Sequence, residues 1–203
     1  MKILNLYAGI GGNRKLWDKE HQVVAVELDP AIAEIYKSLY PEDDVIVGDA
    51  HSYLQEHFNE FDFIWSSPPC QTHSSFRQNI CVRYRGTKAV YPDMKLYQEI
   101  ILLQNFYKGK WVIENVKPYY EPLIQPTFSI DRHYFWSSDF ILTPQFNNNY
   151  TSIRDDVNAM AKQYDIDINI LKSCNVECRL VLRNMVVPEI GKYIFDRVIR
   201  ERQ

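Results

Sequence analysis

The chain has 203 residues, of which 46% are hydrophobic and 24% are charged, and its formal net charge is −3 at pH 7. This length suits one globular domain with its own core, and this balance excludes a disordered chain and a protein held to nucleic acid by a global positive charge. No apolar run approaches the roughly 20 residues that cross a membrane, and the N-terminus lacks the long apolar segment of a signal peptide, so we expect a cytoplasmic protein with no membrane partner.

Short apolar runs alternate with helical patterns along the first two thirds of the chain, and the signal weakens after Ser137. In chain order the pattern predicts a strand at Lys2–Tyr7, a glycine-rich turn at Gly9–Gly12, a helix at Asn13–Lys19, a strand at His21–Leu28, a helix from Pro30 to about Leu39, a strand at Val45–Val47, helical turns at Ser52–His57, a strand at Phe61–Trp65, a helix at Asp93–Phe106, a strand at Trp111–Ile113, and helices at Ser152–Tyr164 and Pro188–Arg202. Continuous apolar strands separated by helices favour an α/β fold, with a mostly parallel sheet covered by helices on both faces.

Polar or glycine-rich positions follow the predicted strands, at the point where each strand ends. They are the turn Gly9–Gly12, Glu27, Asp49, the segment Pro68–Cys70 and Glu114. Parallel sheets bind their ligands at the carboxyl ends of the strands. We therefore expect these positions, which are scattered over more than half of the chain, to converge on one edge of the sheet.

The glycine-rich turn would let the backbone pass close to a ligand. It is not a phosphate-binding loop, because Gly-Lys-Ser/Thr is missing, and it is not the dinucleotide motif, because the spacing is Gly-x-Gly-Gly. The alternative is a tight turn that binds nothing. Glu27 and Asp49 are placed to accept hydrogen bonds from ribose hydroxyls and from an adenine amino group, although each acid alone is more often a helix cap or a turn residue. Asp29, just before Pro30, is predicted to be such a helix N-cap.

The segment Pro68-Pro69-Cys70-Gln71 is the sharpest signal. Two prolines stiffen the chain at a strand end, and the polar stretch after them indicates a presented thiol rather than a small buried hydrophobe. A thiolate is a strong nucleophile once nearby donors or cations lower its pKa. Glu114 directly follows a buried strand, where a carboxylate must be hydrogen-bonded or take part in chemistry. The four cysteines are too sparse for a disulfide framework, and Cys174 and Cys178 lack a second Cys or His pair with matching spacing, so we expect a reducing compartment and no metal site.

In their order and spacing, these motifs resemble those of the cytosine-C5 DNA methyltransferase family. The matching segments are Leu6–Gly12 for the cofactor loop, Val26–Asp29 for the ribose motif, Gly48-Asp49 for the adenine motif, Pro68–Gln71 for the nucleophile, Glu114–Val116 for the target base, Arg132–Trp136 for the arginine-rich strand and Arg183–Val186 for the late asparagine motif. Tyr7 stands where the family usually has the phenylalanine that flanks the adenine, and Arg183 replaces a glycine.

The resemblance implies a Rossmann-like methyltransferase fold that uses S-adenosylmethionine. The cofactor-binding residues that it implies are Tyr7, Ala8, Gly9, Gly11, Gly12, Glu27, Asp49, Pro68, Asn184 and Val186. The catalytic residues that it implies are Cys70, Glu114 and Arg132. In the implied reaction Cys70 adds to C6 of cytosine, Glu114 holds N3 and the exocyclic amine, and Arg132 holds the O2 side while C5 takes the methyl group.

A basic segment follows the nucleophile, with arginines and no acid between Arg77 and Lys88. It is either a solvated loop or a loop that contacts phosphates. Because duplex DNA hides C6, the resemblance also implies a flipped cytosine, and the basic segment would close over it. The nucleic-acid-binding residues that we expect are Gln71, Ser74, Arg77, Arg83 and Arg85.

The family usually inserts a large target-recognition domain, and only residues 137–182 stand in its place here. We therefore expect a single catalytic domain over residues 1–203, with a reduced insert at 137–182. This implies short or relaxed sequence specificity, or a partner subunit that supplies recognition. Two alternatives stay open: the same chemistry on RNA, and a catalytically weak DNA-binding subunit. The resemblance suggests a bacterial or phage-infected cell, in which the protein would protect DNA from restriction.

Overall fold

A seven-stranded sheet forms the centre of the computed structural model, which describes residues 1–142 and 156–200. The strands are β1 (Lys2–Leu6), β2 (Gln22–Glu27), β3 (Asp44–Val47), β4 (Phe63–Ser66), β5 (Lys110–Val116), β6 (Phe128–Ile130) and β7 (His133–Ser137). Their order is β3-β2-β1-β4-β5-β7-β6; β1 to β5 are parallel, and β7 is antiparallel to both of its neighbours. This confirms the expected Rossmann-like α/β fold, and the order reverses between β1 and β4, where such sheets bind ligands.

The predicted strands are present with small shifts of their ends, and most predicted helices are present as well. The α-helices of the described residues are α1 (Pro30–Leu39), α2 (Ala50–His57), α3 (Arg83–Arg85), α4 (Lys95–Phe106), α5 (Val157–Gln163), α6 (Ile168–Ser173), α7 (Cys178–Arg183) and α8 (Pro188–Ile199). The Asp29 side chain caps α1 by accepting from the amides of Ala31 and Ile32. The helix predicted at 152–164 begins at Val157, and its first residues lie outside the described part of the chain. Over residues 1–142 and 156–200 we find no helix that combines the length and apolar character of a membrane span.

The helix predicted at Asn13–Lys19 does not form, and this prediction was wrong. The segment is instead a series of tight turns in which the amides of Arg14 and Trp17 donate to carbonyls three residues back. Buried polar contacts explain the difference. The Asn13 side chain donates to Asn5 in β1 at 2.8 Å, and the Arg14 guanidinium donates twice to Asp43, at 2.9 and 3.0 Å. These long-range partners determine the backbone path, and local sequence does not contain them.

The sheet is covered on both faces because alternate strand residues point to opposite sides. Leu4 and Leu6 lie on the face that is covered by α2 and α4. Ile3 lies on the other face, against Trp17 and α8. Both clusters are buried, and this apolar burial is the main contribution that holds the sheet and helices together.

The short helices α5, α6 and α7 form a layer over α1 and the glycine-rich turn. Their apolar side chains pack with Ile10 of the turn and with Ile35 of α1 in one cluster. Left-handed residues, Asp165 and Asn175, separate the helices. The part of the expected 137–182 insert that the structure describes thus packs directly on the cofactor side of the fold.

Candidate active site

The nucleophile segment leaves β4 at Ser66 and is fixed at both of its ends. The amides of His73 and Ser74 donate to the carbonyl of Cys70, each at 3.0 Å, so the cysteine opens a helical turn. The Asn115 side chain, near the end of β5, donates to the carbonyl of Pro68 at 2.9 Å. The two neighbouring strands therefore hold Cys70 in one position, and Asn115 is part of this support rather than a simple turn residue.

Cys70 is a partly buried free thiol. Burial raises the pKa of the Cys70 thiol to about 11, and the nearby Glu114 carboxylate adds to the rise. The positive charges of Arg132 and Arg183 act in the opposite direction and are outweighed. A lowered pKa is the condition under which a cysteine is a ready thiolate, and the net direction at Cys70 is the reverse. In the resting protein Cys70 is a neutral thiol, so its attack requires that a proton be removed as substrate binds.

We expect Cys70 to react slowly with iodoacetamide at neutral pH, because the thiolate is the reactive form. The rate should rise about tenfold for each pH unit between pH 7 and pH 9.5, since a pKa of about 11 lies above this whole range. Timed alkylation followed by peptide mass spectrometry would measure it, with Cys81, Cys174 and Cys178 as internal references in the same digest. A rate that levels off below pH 8.5 would contradict the raised pKa.

Glu114 lies in β5, beside the nucleophile, and is buried. Burial raises the pKa of its carboxyl to about 7, against the lowering effects of a Ser67 hydrogen bond and of the Arg132 charge. Glu114 therefore keeps its proton at a higher pH than an exposed glutamate does. A carboxyl in this state can donate a hydrogen bond to a ring nitrogen, which an ordinary ionised glutamate cannot.

His133 faces Glu114 from β7, and sequence reasoning missed it. Its Nε2 lies 3.5 Å from Glu114 Oε1. Burial, together with the charges of Arg132 and Lys117, lowers the pKa of His133 to about 3, so the ring is neutral and the contact is not an ion pair at neutral pH. Only the pairing of β5 with β7 brings the two side chains together, and the pairing is not visible in local sequence.

Arg132 occupies the exposed turn that precedes β7. Its charge lowers the pKa of both Cys70 and Glu114, which places it within electrostatic range of both groups. The three residues that were assigned catalytic roles from the sequence thus lie around one point at the carboxyl edge of the sheet.

The glycine-rich turn between β1 and the rest of the chain has two kinds of glycine. Gly9 has a left-handed backbone (φ +54°), and a side chain there would project into open space. Gly11 and Gly12 are closely packed: a Cβ at Gly11 would lie 2.3 Å from the Tyr40 ring, and one at Gly12 would lie 2.3 Å from the Val186 carbonyl oxygen. Gly9 therefore leaves room for a ligand, while the other two let the turn pack against α1 and the late asparagine motif.

Glu27 ends β2 and is tied to the turn. Its Oε2 accepts from the amide of Gly9 at 2.9 Å, and its Oε1 accepts from the amides of Leu28 and Asp29. A carboxylate oxygen can accept two hydrogen bonds, so Oε2 keeps one position for a ribose hydroxyl. Glu27 both shapes the turn and keeps the capacity to bind a ligand.

Asp49 caps α2 and also faces solvent. Its Oδ1 accepts from the amide of Ser52 at 2.8 Å, and its Oδ2 accepts from Lys95 at 3.3 Å. The Ser52 hydrogen bond lowers the pKa of Asp49, so the carboxylate stays ionised and can accept from an amino group. Asp49 can therefore cap α2 and still accept a hydrogen bond from a ligand, so the two interpretations of this residue are compatible.

The remaining cofactor-side residues surround the same turn. Ala8 is buried and its amide donates to the β2 carbonyl of Val26 at 3.1 Å. Val186 approaches Gly12 through its carbonyl, and the exposed Asn184 ends α7 just before it. Pro68 is buried beside β4. Open space at Gly9 and the acceptors at Glu27 and Asp49 fit an adenosyl ligand with free ribose hydroxyls and an amino group.

The basic segment after Cys70 is helical. A π-helical turn, Arg77–Val82, continues into α3 and ends at the left-handed Gly86. Of the five residues assigned to nucleic acid, Gln71, Arg83 and Arg85 are exposed, whereas Ser74 and Arg77 are partly buried. The Ser74 hydroxyl accepts from the amide of Arg77 at 3.3 Å. Ser74 thus supports the start of the helical turn, and the exposed arginines lie further along it.

A hydrogen bond closes the base of this segment, because the amide of Asp93 donates to the Thr72 hydroxyl at 3.0 Å. On the inner side the buried His73 ring contacts the Tyr120 hydroxyl, with His73 Nδ1 at 2.5 Å from the oxygen. The segment therefore begins and ends at fixed points beside the nucleophile.

Comparison with known proteins shows which proteins this chain is similar to. The family model described as C-5 cytosine-specific DNA methylase matches residues 1–129. The chain is 26% identical over 117 residues to the tRNA (cytosine(38)-C(5))-methyltransferase of Rattus norvegicus. This match covers 52% of the chain and 30% of the relative. Among solved structures, a mutant of Spodoptera frugiperda DNMT2 is 27% identical with a TM-score of 0.39, and the match covers 57% of this chain and 35% of that one. A putative DNA modification methyltransferase encoded in an E. coli prophage is 19% identical with a TM-score of 0.39, over 60% of this chain and 33% of that one. The chain spans about a third of the length of these relatives.

Proposed function

The chain belongs to the C-5 cytosine-specific DNA methylase family, whose methyl donor is S-adenosylmethionine, and from this premise we propose that it methylates C5 of cytosine in duplex DNA with short or relaxed sequence specificity. One observation carries the proposal: a held thiol, Cys70, lies beside a buried, partly protonated Glu114. This pair can add a nucleophile to one side of an aromatic ring and protonate the other side.

In the proposed reaction the Cys70 sulfur forms a bond to C6 as its thiol proton passes to water. Glu114 donates its proton to N3, so the electron pair displaced from the C5–C6 double bond develops at C5 without a full negative charge on the ring. Arg132 holds O2 of the base. When bound, S-adenosylmethionine supplies a methyl group on a sulfonium centre. Water then takes the C5 proton, the C5–C6 double bond re-forms as the C6–S bond breaks, the proton on N3 returns to Glu114, and Cys70 leaves as a thiolate.

The two raised pKa values bear on this order of events. The Glu114 charge is one cause of the high pKa of Cys70, so a protonated Glu114 makes the Cys70 proton easier to remove. With one proton between them, the pair keeps it on Cys70, because the pKa of the thiol, about 11, lies above that of Glu114, about 7. Attack on C6 requires the opposite state, with Glu114 neutral and Cys70 a thiolate, so the thiol proton has to be removed as substrate binds.

The choice between DNA and RNA as the substrate goes beyond membership of the family and is part of the proposal. The matching family model is a DNA methylase, which favours DNA. A second candidate is RNA, because the curated relative acts on tRNA. We propose duplex DNA with a flipped cytosine, in which Gln71, Ser74, Arg77, Arg83 and Arg85 lie on the side that approaches the phosphates.

Recognition and biological role are also proposals. Between β7 and α5 the chain has only residues 138–156. Within this stretch the structure describes the chain up to Leu142 and again from Asp156. This length supports a short recognition sequence or a partner subunit that reads the target. A cytoplasmic role in a bacterial or phage-infected cell, where methylation protects DNA from restriction, agrees with such an enzyme.

We expect radiolabelled methyl groups to be transferred from S-adenosylmethionine to duplex DNA faster than to single-stranded DNA or to tRNA. Equal concentrations of cytosine in each substrate make the rates comparable, and Cys70→Ala gives the background. Conversion sequencing of the methylated DNA should then reveal a short motif. Transfer confined to tRNA would replace DNA by the second candidate, and a long, strictly read DNA site would contradict the relaxed specificity.

A further inference from the structure

A wholly buried carboxylate lies on the apolar side of α4. Glu99 shares this face with Leu96, Ile100 and Leu103, and its side chain has no exposed surface. Burying a charge in such a place is costly unless hydrogen bonds compensate for the lost water. An acid in an apolar helical stripe is therefore a signal, and it is one that our sequence interpretation passed over.

Three side chains surround the Glu99 carboxylate. The Tyr7 hydroxyl donates to Oε1 at 2.6 Å, His51 Nδ1 lies 3.0 Å from the same oxygen, and the Ser66 hydroxyl donates to Oε2 at 2.7 Å. Burial and the neighbouring Glu99 raise the pKa of Tyr7, so its hydroxyl keeps the proton that it donates. Both carboxylate oxygens are thus occupied by donors from outside α4.

The three donors belong to three different parts of the candidate site. Tyr7 directly follows β1 and opens the cofactor turn, His51 lies in the first turn of α2 just after Asp49, and Ser66 ends β4 ahead of the nucleophile segment. One carboxylate therefore connects the ends of the strands that carry the cofactor residues with the strand that carries Cys70.

Tyr7 is the most constrained member of this cluster. Its backbone is left-handed (φ 52°), a conformation that is uncommon for a bulky side chain and needs support from its surroundings. A phenylalanine at this position would be held by packing alone. Here the hydroxyl gives the Tyr7 ring a fixed acceptor on α4.

We propose that Glu99 is a positioning residue that orients the Tyr7 ring, and with it the cofactor turn, for binding the adenosyl part of S-adenosylmethionine. The inference rests on the proposed function because it assumes that ligand. Glu99 touches neither reacting atom and acts through Tyr7. Loss of the Tyr7–Glu99 hydrogen bond leaves the fold intact but frees the ring to leave its binding orientation, so affinity for the cofactor falls.

The test measures binding of S-adenosylhomocysteine, the demethylated product, by titration calorimetry on the full chain without nucleic acid. Tyr7→Phe removes only the hydroxyl, and Glu99→Gln turns one of the two acceptor oxygens into a donor without changing the shape of the side chain. Each variant should bind about tenfold more weakly than the parent. The matched control is Tyr107→Phe, which removes another buried tyrosine hydroxyl, the donor to the Phe61 carbonyl at 2.9 Å, at the end of α4.

A purely structural role predicts another pattern. In that case Tyr7→Phe and Tyr107→Phe would lower the melting temperature by similar amounts, and folded Tyr7→Phe would bind S-adenosylhomocysteine within twofold of the parent. That result would overturn the proposal. A double variant supplies a second readout: Tyr7→Phe should lose less affinity in a Glu99→Gln background than in the parent, because the two side chains act through one hydrogen bond. If Glu99→Gln does not fold, Tyr7→Phe alone decides.

The same experiment separates this inference from the proposed function. A parent protein that binds no S-adenosylhomocysteine overturns the proposed function and this role of Glu99 with it. A parent that binds, with Tyr7→Phe unchanged, overturns the role of Glu99 alone. The KM for S-adenosylmethionine should rise in Tyr7→Phe with little change in kcat, as expected for a residue that positions the ligand rather than reacting with it.

Discussion

Cys70→Ala is expected to abolish methyl transfer, with a loss of about 10⁴-fold or more, because covalent addition at C6 is the step that activates C5. The fold should be unchanged, since the Cys70 carbonyl, rather than its sulfur, accepts the hydrogen bonds that hold the turn. Single-turnover transfer of a labelled methyl group would measure the loss. Cys81→Ala is the matched control, because Cys81 is another partly buried free cysteine in the following helical turn.

A trapped complex gives the same prediction a second, independent readout. DNA that carries 5-fluorocytosine has no proton at C5, so the reaction should stop at the covalent adduct with Cys70. A band that resists denaturation is expected with the parent and with Cys81→Ala, and none is expected with Cys70→Ala. Absence of an adduct with the parent would instead favour a catalytically weak DNA-binding subunit.

Glu114→Gln is expected to lower turnover by roughly 10²–10³-fold, because an amide can hydrogen-bond to N3 but cannot give it a proton. The loss should fall mainly on kcat. The exposed Glu121, which follows β5, provides a matched control as Glu121→Gln. A variant that retains more than a tenth of the parent activity would remove proton donation by Glu114 from the proposed reaction.

The protonation of Glu114 also predicts how activity changes with pH. Its pKa in the folded protein, about 7, is raised above that of an exposed glutamate. The protonated form that donates to N3 is therefore lost as pH rises through about 7, and the Glu114→Gln profile should lack this fall.

The Glu114→Gln substitution is expected to change stability in the opposite sense to activity. An acid whose pKa is raised by folding stabilises the fold fully only below its unfolded pKa, and this contribution is lost as pH rises through the folded pKa. At pH 8 the buried carboxylate costs up to about 3 kcal/mol, so Glu114→Gln should unfold at a higher denaturant concentration than the parent. Equal midpoints at pH 8 would contradict the raised pKa.

The sequence predicted what depends on local pattern. The strands, α1 with its Asp29 cap, and the placement of Glu27, Asp49, Cys70 and Glu114 at strand ends are all features that periodicity and turn residues determine. Their convergence followed from one rule about parallel sheets. The family motifs then connected these positions to a reaction, and the match over residues 1–129 confirms the family.

What the sequence did not predict depends on contacts between distant residues. The ion pair between Arg14 and Asp43 favours turns where a helix was expected. Glu99 accepts hydrogen bonds from groups outside its own helix. His133 lies next to Glu114 only because their strands pair. The direction of the Cys70 pKa is another such case, because burial decides it and the neighbouring sequence shows only polar residues and cations.

The hydrogen bonds that flank Cys70 separate the nucleophile, which is fixed to the sheet, from the basic segment that follows it. Asn115 fastens Pro68 to β5, whereas Thr72 and Asp93 meet at the base of the basic segment. The twenty residues between Thr72 and Asp93, residues 73–92, therefore form one segment whose two ends are joined at its base. Under the proposed function, exchanging this segment would change which nucleic acid is accepted, while the chemistry would stay in the sheet that supports it.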